Sequence, residues 1–229
     1  MGSSPADEAM KILDVEILSP DAARAVDFFE SALGLPADDG VVRLGGSRLR
    51  FTAGVPSAPY HLAINIPQNQ VRAAKDWLER RASMLSDEIF DFAFWNAEAV
   101  YFEDPDGNVL ELIARHGLQN DRVGSFGPEM LLGLSEVGLP VAETQLAIEI
   151  LERTFALAVF SGDRDQFTAL GDDHGLFIVV RPGRLWLPTE RACDENHVHV
   201  TIEGREEAEA VIGSSFRLTQ VLGDYSREE

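Results

Sequence analysis

The sequence predicts an α+β protein built from four related strand-helix units, and three observations carry that prediction. A short strand that breaks into an amphipathic helix occurs four times along the chain. Short strand candidates separated by Gly- and Asp-rich turns follow the first two helices, so each of those units reads as a βαβββ module. The composition, 45% hydrophobic and 25% charged over 229 residues, is that of a globular chain able to bury a sizeable core.

In the first unit, Leu13 to Leu18 alternates as a half-buried strand should, and Ser19-Pro20-Asp21 opens a helix through Phe28, Phe29 and Leu33 that Gly34 closes. Val41 to Leu44 and Arg48 to Thr52 then flank a Gly45-Gly46 hairpin turn. In the second unit, Tyr60 to Ile66 forms the strand, Pro67-Gln68-Asn69 breaks it, and Val71, Ala74, Trp77 and Leu78 recur at helical spacing. Ala99 to Phe102 and Val109 to Ala114 flank the turn Asp104-Pro105-Asp106-Gly107. The third unit runs from Leu134 to Val141 into a helix carrying Leu146, Ile150 and Leu151, and ends with the apolar run Leu176 to Val180 after a turn at Gly171 to Gly175. The fourth, from His197 to Ile202 into a helix over Arg205 to Ile212, is shortened, with only Arg217 to Leu222 left for a strand. Glu206, Glu207 and Glu209 would form the solvated face of that last helix. The expected organisation is a loose terminus over 1–9, a complete two-module domain over 10–118, a polar linker over 119–129 and a degenerate two-module domain over 130–229.

Charge and motif content exclude several functions. A formal net charge of −20 repels nucleic acid and anionic membranes, and no basic patch offsets it. The chain has no glycine-rich phosphate loop, no Cys-x-x-Cys pair and no nucleophile elbow. The lone Cys193, in a polar loop without a positioned base, is a poor nucleophile, and one cysteine with no apolar leader or long apolar run suits a cytoplasmic protein.

The turn Asp104-Pro105-Asp106-Gly107 followed by Asn108-Val109-Leu110-Glu111, at the end of a βαβββ unit, resembles the vicinal oxygen chelate superfamily. That superfamily includes glyoxalase I, extradiol dioxygenases and bleomycin resistance proteins. The resemblance covers most of the chain and is clearest over residues 10 to 116. It implies curved mixed sheets, each made by two paired modules around a metal held from the first and last strand of each module. Carried over by position, it implies metal ligation by Asp14, His61 and Glu111. Superposing Gly46 to Arg50 on Gly107 to Glu111 places Arg50, which cannot bind a metal, where a fourth ligand would stand. Two carboxylates and an imidazole suit one divalent Fe, Mn, Ni or Zn ion with open positions for a substrate bearing adjacent oxygens. Arg50, Trp95 and Tyr101 would contact that substrate. The resemblance further implies dioxygenase or lyase/isomerase chemistry on a small molecule, and it leaves open modules paired within one chain or swapped between two in a homodimer.

Residue by residue, plainer readings compete. Asp14 on an alternating strand suits a wet face, and His61 suits a backbone-bonded core histidine. Glu111 would be satisfied without any ion by pairing with Arg50, leaving a metal-free cavity that sequesters a small apolar or aromatic ligand. In the second half, Glu136 takes the position of Asp14 and His197 or His199 that of His61. Val179 falls where a last-strand ligand would be needed, so no complete site is expected there. His174 is by default a turn histidine, and the aromatic run around Phe92, Phe94 and Trp95 is a core or a pocket wall.

Overall fold

A computed structural model describes residues 9–223. The loose start expected over 1–9 lies, apart from Ala9, outside those residues, as does the charged end from Ser226. The first module comprises β1 (Lys11–Ser19), α1 (Ala22–Asp27), β2 (Ala37–Asp38), β3 (Val41–Leu44) and β4 (Ser47–Ala53). The second comprises β5 (His61–Ile66), α2 (Val71–Leu78), β6 (Ser83–Met84), β7 (Phe90–Phe92), β8 (Ala97–Glu103) and β9 (Val109–Arg115). The third holds β10 (Gly133–Pro140), α3 (Thr144–Phe155), β11 (Val159–Gly162), β12 (Phe167–Asp172) and β13 (Gly175–Val180), and the fourth β14 (Val198–Gly204), β15 (Ala208–Ile212) and β16 (Phe216–Leu222).

Local chemistry explains most of these boundaries. The Asp21 carboxylate caps α1 by accepting from the Arg24 N–H at 3.1 Å, and α1 widens into a π turn over Phe28–Ala32 before Gly34, whose φ of +69° a larger side chain resists. The apolar stripe of α2 (Val71, Ala74, Trp77, Leu78) is buried as its spacing requires. In α3 the buried stripe is Ala147, Ile148, Leu151 and Phe155; Leu146, expected inside, is exposed because the true stripe is turned by one residue. The fourth unit departs from the pattern. Its expected helix is the strand β15, which continues the sheet beside β16, so Glu206 and Glu207 lie in the connection before it and Glu209 on the strand itself.

The modules assemble into two curved sheets, ordered β15-β16-β14-β1-β4-β3-β2 and β11-β12-β13-β10-β5-β9-β8-β6, with β7 added against β8. The pairing is therefore first with fourth and second with third, not the expected first with second and third with fourth. Each sheet closes at its centre through two first strands, β1 against β14 and β5 against β10, both antiparallel. The reason lies in strand character. β5, β9 and β13 are buried along their whole length and β10 along all but its first residue, whereas β1, β14 and β16 alternate buried with wetter positions. Strands apolar on both faces pair with each other, and strands with one wet face do the same.

One extended core fills the space behind the two sheets and under the helices. Buried polar links join the sheets across it. The Ser47 hydroxyl donates to the Ile12 carbonyl at 2.6 Å and accepts from the Leu134 N–H at 2.9 Å, tying β1 to β10. The Tyr60 hydroxyl accepts from the Leu18 N–H at 3.1 Å and donates to the His197 carbonyl at 2.8 Å, which fastens the start of the second sheet to the first. Replacing Tyr60 with Phe keeps the ring but strands both backbone groups, at a cost of about 1–3 kcal/mol. Chemical denaturation of Y60F should show that loss with an unchanged denaturant slope, whereas an unchanged midpoint would mean that the bridge contributes nothing.

Candidate metal centre

The second sheet carries a set of buried titratable side chains on one face. Alternation along β5 turns His61, Ala63 and Asn65 to the inner face and Leu62, Ile64 and Ile66 to the core; β9 does the same with Val109, Glu111, Ile113 and Arg115 against Leu110, Leu112 and Ala114. Parallel pairing sets His61 beside Val109 and Ala63 beside Glu111, so His61 and Glu111 are diagonal neighbours. The Asp104 turn fixes this register. Its carboxylate accepts from the N–H groups of Asp106 at 3.0 Å and Asn108 at 2.9 Å and from the Asn108 amide at 2.7 Å. Asn108 in turn accepts from the Tyr60 N–H at 3.0 Å, immediately before His61. The motif that marks the unit in the sequence thus clamps the strand that carries the imidazole.

The third member comes from β10. An irregularity between Leu134 and Glu136 in its pairing with β5 brings Glu136 opposite Ala63 and onto the same face. The His61 Nε2 lies 3.6 Å from Glu111 Oε2 and 3.6 Å from Glu136 Oε2, and all three side chains are buried. Among the described residues these form the one group of three or more such side chains whose ligand atoms lie within 4.8 Å of one another. His61 Nδ1 sits 3.2 Å from the Val109 carbonyl, which fixes the proton on Nδ1 and leaves the Nε2 lone pair facing the carboxylates. Around an ion about 2.1 Å from each donor, neighbouring donors stand about 3.0–3.6 Å apart, so the observed spacing fits one.

The other oxygen of Glu136 is engaged. Arg115, fully buried, bonds Glu136 Oε1 through its guanidinium and reaches Ser135 Oγ at 3.2 Å through Nε. Its Nη1 is 3.8 Å from Asp173 and has no hydrogen-bond partner. Tyr101 faces Glu111 across the β8–β9 ladder with its hydroxyl beside that carboxylate. Trp186 covers the imidazole, with ring centroids 5.0 Å apart, and donates from its indole to the Pro59 carbonyl at 3.1 Å. Its approach requires Gly138, where a Cβ would lie 2.8 Å from the indole and 3.2 Å from the His61 Cβ.

Burial and neighbours drive the charges apart. Burial raises Glu111 to about 8, and the negative Glu136 adds to the rise. Burial also works against ionised Glu136, but His61 and Arg115 outweigh it and hold that carboxyl below its ordinary value. Burial lowers His61, yet the two carboxylates beside it bring the net shift upward. Tyr101 is raised well above 10, chiefly by burial, and stays a hydroxyl.

Of the residues expected at the site, His61, Glu111, Tyr101 and Trp95 line one cavity together. Asp14 and Arg50 do not. β1 belongs to the other sheet, where parallel pairing with β4 flanks Asp14 with Arg48 Nε at 2.8 Å and Arg50 Nε at 2.9 Å. Asp14 is thus neutralised by two arginines, and the Arg50–Glu111 pair does not form. At the position in the first sheet that corresponds to Glu136 stands His199, whose Nε2 is 3.1 Å from the Thr219 hydroxyl, and His197 Nε2 lies 3.9 Å from Glu16. Val179, read as the last-strand position of the third unit, faces the core instead; the inward residue that corresponds to Glu111 is Ile178, opposite Gly138. Glu136 had a signal in its equivalence to Asp14; Arg115 and the segment around Trp186 had none in the pattern of the modules.

The cavity above the three side chains measures about 410 Å³ and is walled by Phe92, Trp95, Tyr101, Phe167, Ile178 and Trp186. Its size and apolar lining with a few convergent polar groups are those of a small-molecule site. A larger space of about 580 Å³ near Phe28 and Pro105 lies away from the cluster and is wide open.

No family model and no curated protein sequence matches the chain. Solved structures do. Glyoxalase I from Zea mays superposes with a TM-score of 0.56 at 14% identity over 95% of this chain and 94% of that one. A variant of the same enzyme gives 0.59 at 13% over 94% of each chain. A candidate dioxygenase from Bacillus subtilis gives 0.60 at 14% over 93% of this chain and 86% of that one. At these identities the likeness is one of fold: the chain has a glyoxalase/dioxygenase-like fold over more than nine-tenths of its length.

The directions of the shifts set a pH dependence for the metal-free protein. Glu111 and His61 hold protons more tightly folded than unfolded, so their stabilising effect is complete at the acid end and is lost as pH rises toward and through about 8. Glu136 acts oppositely, but only below its ordinary value near 4.5. The melting temperature of protein stripped of metal should therefore fall by several degrees from pH 5.5 to 8.5, and E111Q should flatten that slope. A flat wild-type profile would show that Glu111 does not carry the extra proton.

Proposed function

We propose that the chain is a metal-dependent enzyme of the glyoxalase or extradiol dioxygenase type, acting on a small substrate with adjacent oxygens. In this reading His61, Glu111 and Glu136 hold one divalent Fe, Mn, Ni or Zn ion. The observation that carries it is the orientation of three donors: one nitrogen and one oxygen from each of two carboxylates converge, while the imidazole Nδ1 and the second oxygen of Glu136 are committed elsewhere. Such a set binds through single atoms and leaves coordination positions free for a chelating substrate. When bound, the ion would supply Lewis-acid polarisation of the substrate oxygens.

The chain's own groups would do the rest. Glu111, Glu136 and Arg115 together carry one negative charge, so a divalent ion leaves one positive charge in a buried site and favours an anionic oxygen there. Tyr101, kept protonated, would donate to an oxygen of the substrate or return a proton to it. Trp95 and Trp186 would hold the substrate's body against the floor and exclude water. Ring-cleaving oxygenation and glyoxalase-type isomerisation both start from this arrangement. The sequestering alternative rested on an Arg50–Glu111 pair and loses that support, because Arg50 is engaged with Asp14.

Elemental analysis of protein prepared without chelator tests the proposal. About one equivalent of a transition metal is expected in the wild type and in D14N, with at least tenfold weaker retention in H61A, E111Q and E136Q. Oxygen-uptake and glyoxalase-type assays would then be run on the loaded protein. A wild type that takes up no Fe, Mn, Ni or Zn on anaerobic reconstitution, or a D14N variant that alone loses it, would overturn the assignment.

A further inference from the structure

The mouth of the cavity differs in character from its floor. Residues 181–196, which belong to none of the four modules, cross the inner face of the second sheet as a strap. The strap is closed on itself by backbone bonds from the Cys193 N–H to the Arg184 carbonyl at 2.8 Å and from the Trp186 N–H to the Arg191 carbonyl at 2.9 Å. Arg191 anchors it to the second module through Glu103 at 2.5 Å and the Gly107 carbonyl at 2.9 Å. From this pinned base Trp186 points in over His61, while Leu185 and Leu187 stay about half exposed at the rim, where Phe94 is fully exposed. Three of the large apolar side chains left in water therefore surround one opening, an arrangement that marks a ligand site.

Arg184 lines the same cavity. Its guanidinium stands over the Phe167 ring at 5.1 Å and makes no ion pair with any described residue. The cations around it are engaged: Arg181 with Asp165, Arg191 with Glu103, and Arg115 with Glu136. In a chain of net charge −20 the overall field drives anions away, so an anion bound here needs a local cation held for it. Asp91, exposed on the same lining, is a competing charge there.

We infer that the ligand of this cavity is an amphipathic anion. Its flat apolar body lies between the Trp95, Phe167 and Trp186 walls, and its charged group, remote from the adjacent oxygens, is read by Arg184. The placement of the oxygens rests on the metal-dependent reading above; the aromatic body and the anionic end rest on the walls and on Arg184 alone. Arg184 is then a specificity-determining residue, since a guanidinium over a ring keeps its edge free to bond an anion.

A matched set of probes tests this: 2,3-dihydroxynaphthalene-6-sulfonate, 2,3-dihydroxynaphthalene and naphthalene-2-sulfonate, titrated by calorimetry into Zn(II)-loaded and metal-stripped protein. The dihydroxy sulfonate should bind about tenfold tighter than the uncharged diol, R184Q should abolish that preference without weakening the diol, and D91N should increase it. R184Q leaves the metal ligands in place, which zinc content verifies. A sulfonate preference that survives R184Q, or that is absent in the wild type, would overturn the role of Arg184. Failure of all three probes to bind would overturn the aromatic body as well. If the two sulfonates bind equally well with and without Zn(II) while the R184Q effect persists, this inference stands and the metal-dependent reading fails.

Discussion

Charge buried on the inner face of the second sheet has to be balanced where it stands, and the structure around it follows from that requirement. Two glutamates, a histidine and an arginine share a volume from which water is largely excluded. Arg115 neutralises one carboxylate and fixes its orientation; the other is left to a proton, to Tyr101 or to an ion. The small residues Ala63 and Gly138 beneath them leave room above the floor, and bulky aromatic side chains close the sides. The inner face of the first sheet solves the same problem more simply. Asp14 lies between two arginines that reach solvent, and the position is satisfied with no ion at all.

The two faces show how one repeated pattern yields one cluster of buried donors. In each sheet two first strands meet antiparallel, and the same ladder positions point inward. What differs is what occupies them: His61, Glu111 and Glu136 in one, Asp14, Arg50 and His199 in the other. Covering differs as well. The second sheet is roofed by the strap and by the Phe92 to Trp95 turn, which together give its carboxylates the low-dielectric surroundings that shift them. The first sheet's strands keep a wetter face.

Much of this was legible in the residues. The alternation of β1, the apolar stripe of α2 and the Asp104 turn fix elements locally, so the module type and the inward position of His61 and Glu111 follow from short-range chemistry. Which modules pair is a long-range choice. It is written in the contrast between runs such as YHLAINI and VLELIA, apolar on both faces, and KILDVEIL or HVHVTI, apolar on one. That contrast distinguishes β5 and β10 from β1 and β14, and with it Glu136 from Asp14 as the partner of His61. The fourth unit misled because charged residues at helical spacing also suit a connection followed by an edge strand. Arg115 sits in an apolar strand where a cation has no local reason to be; only the carboxylate on the neighbouring strand explains it.

The strap lies between the third and fourth modules and takes no part in either sheet's ladder; its isolated bridge, Leu185 to Ala192, lies within the strap itself. Its length and side chains can therefore vary in evolution without shifting the register of any strand that carries His61, Glu111 or Glu136. The floor and the wall of the cavity are thus separate stretches of the same chain: some fifteen loop residues could be rewritten to reshape the opening while the strands beneath keep their three converging donors.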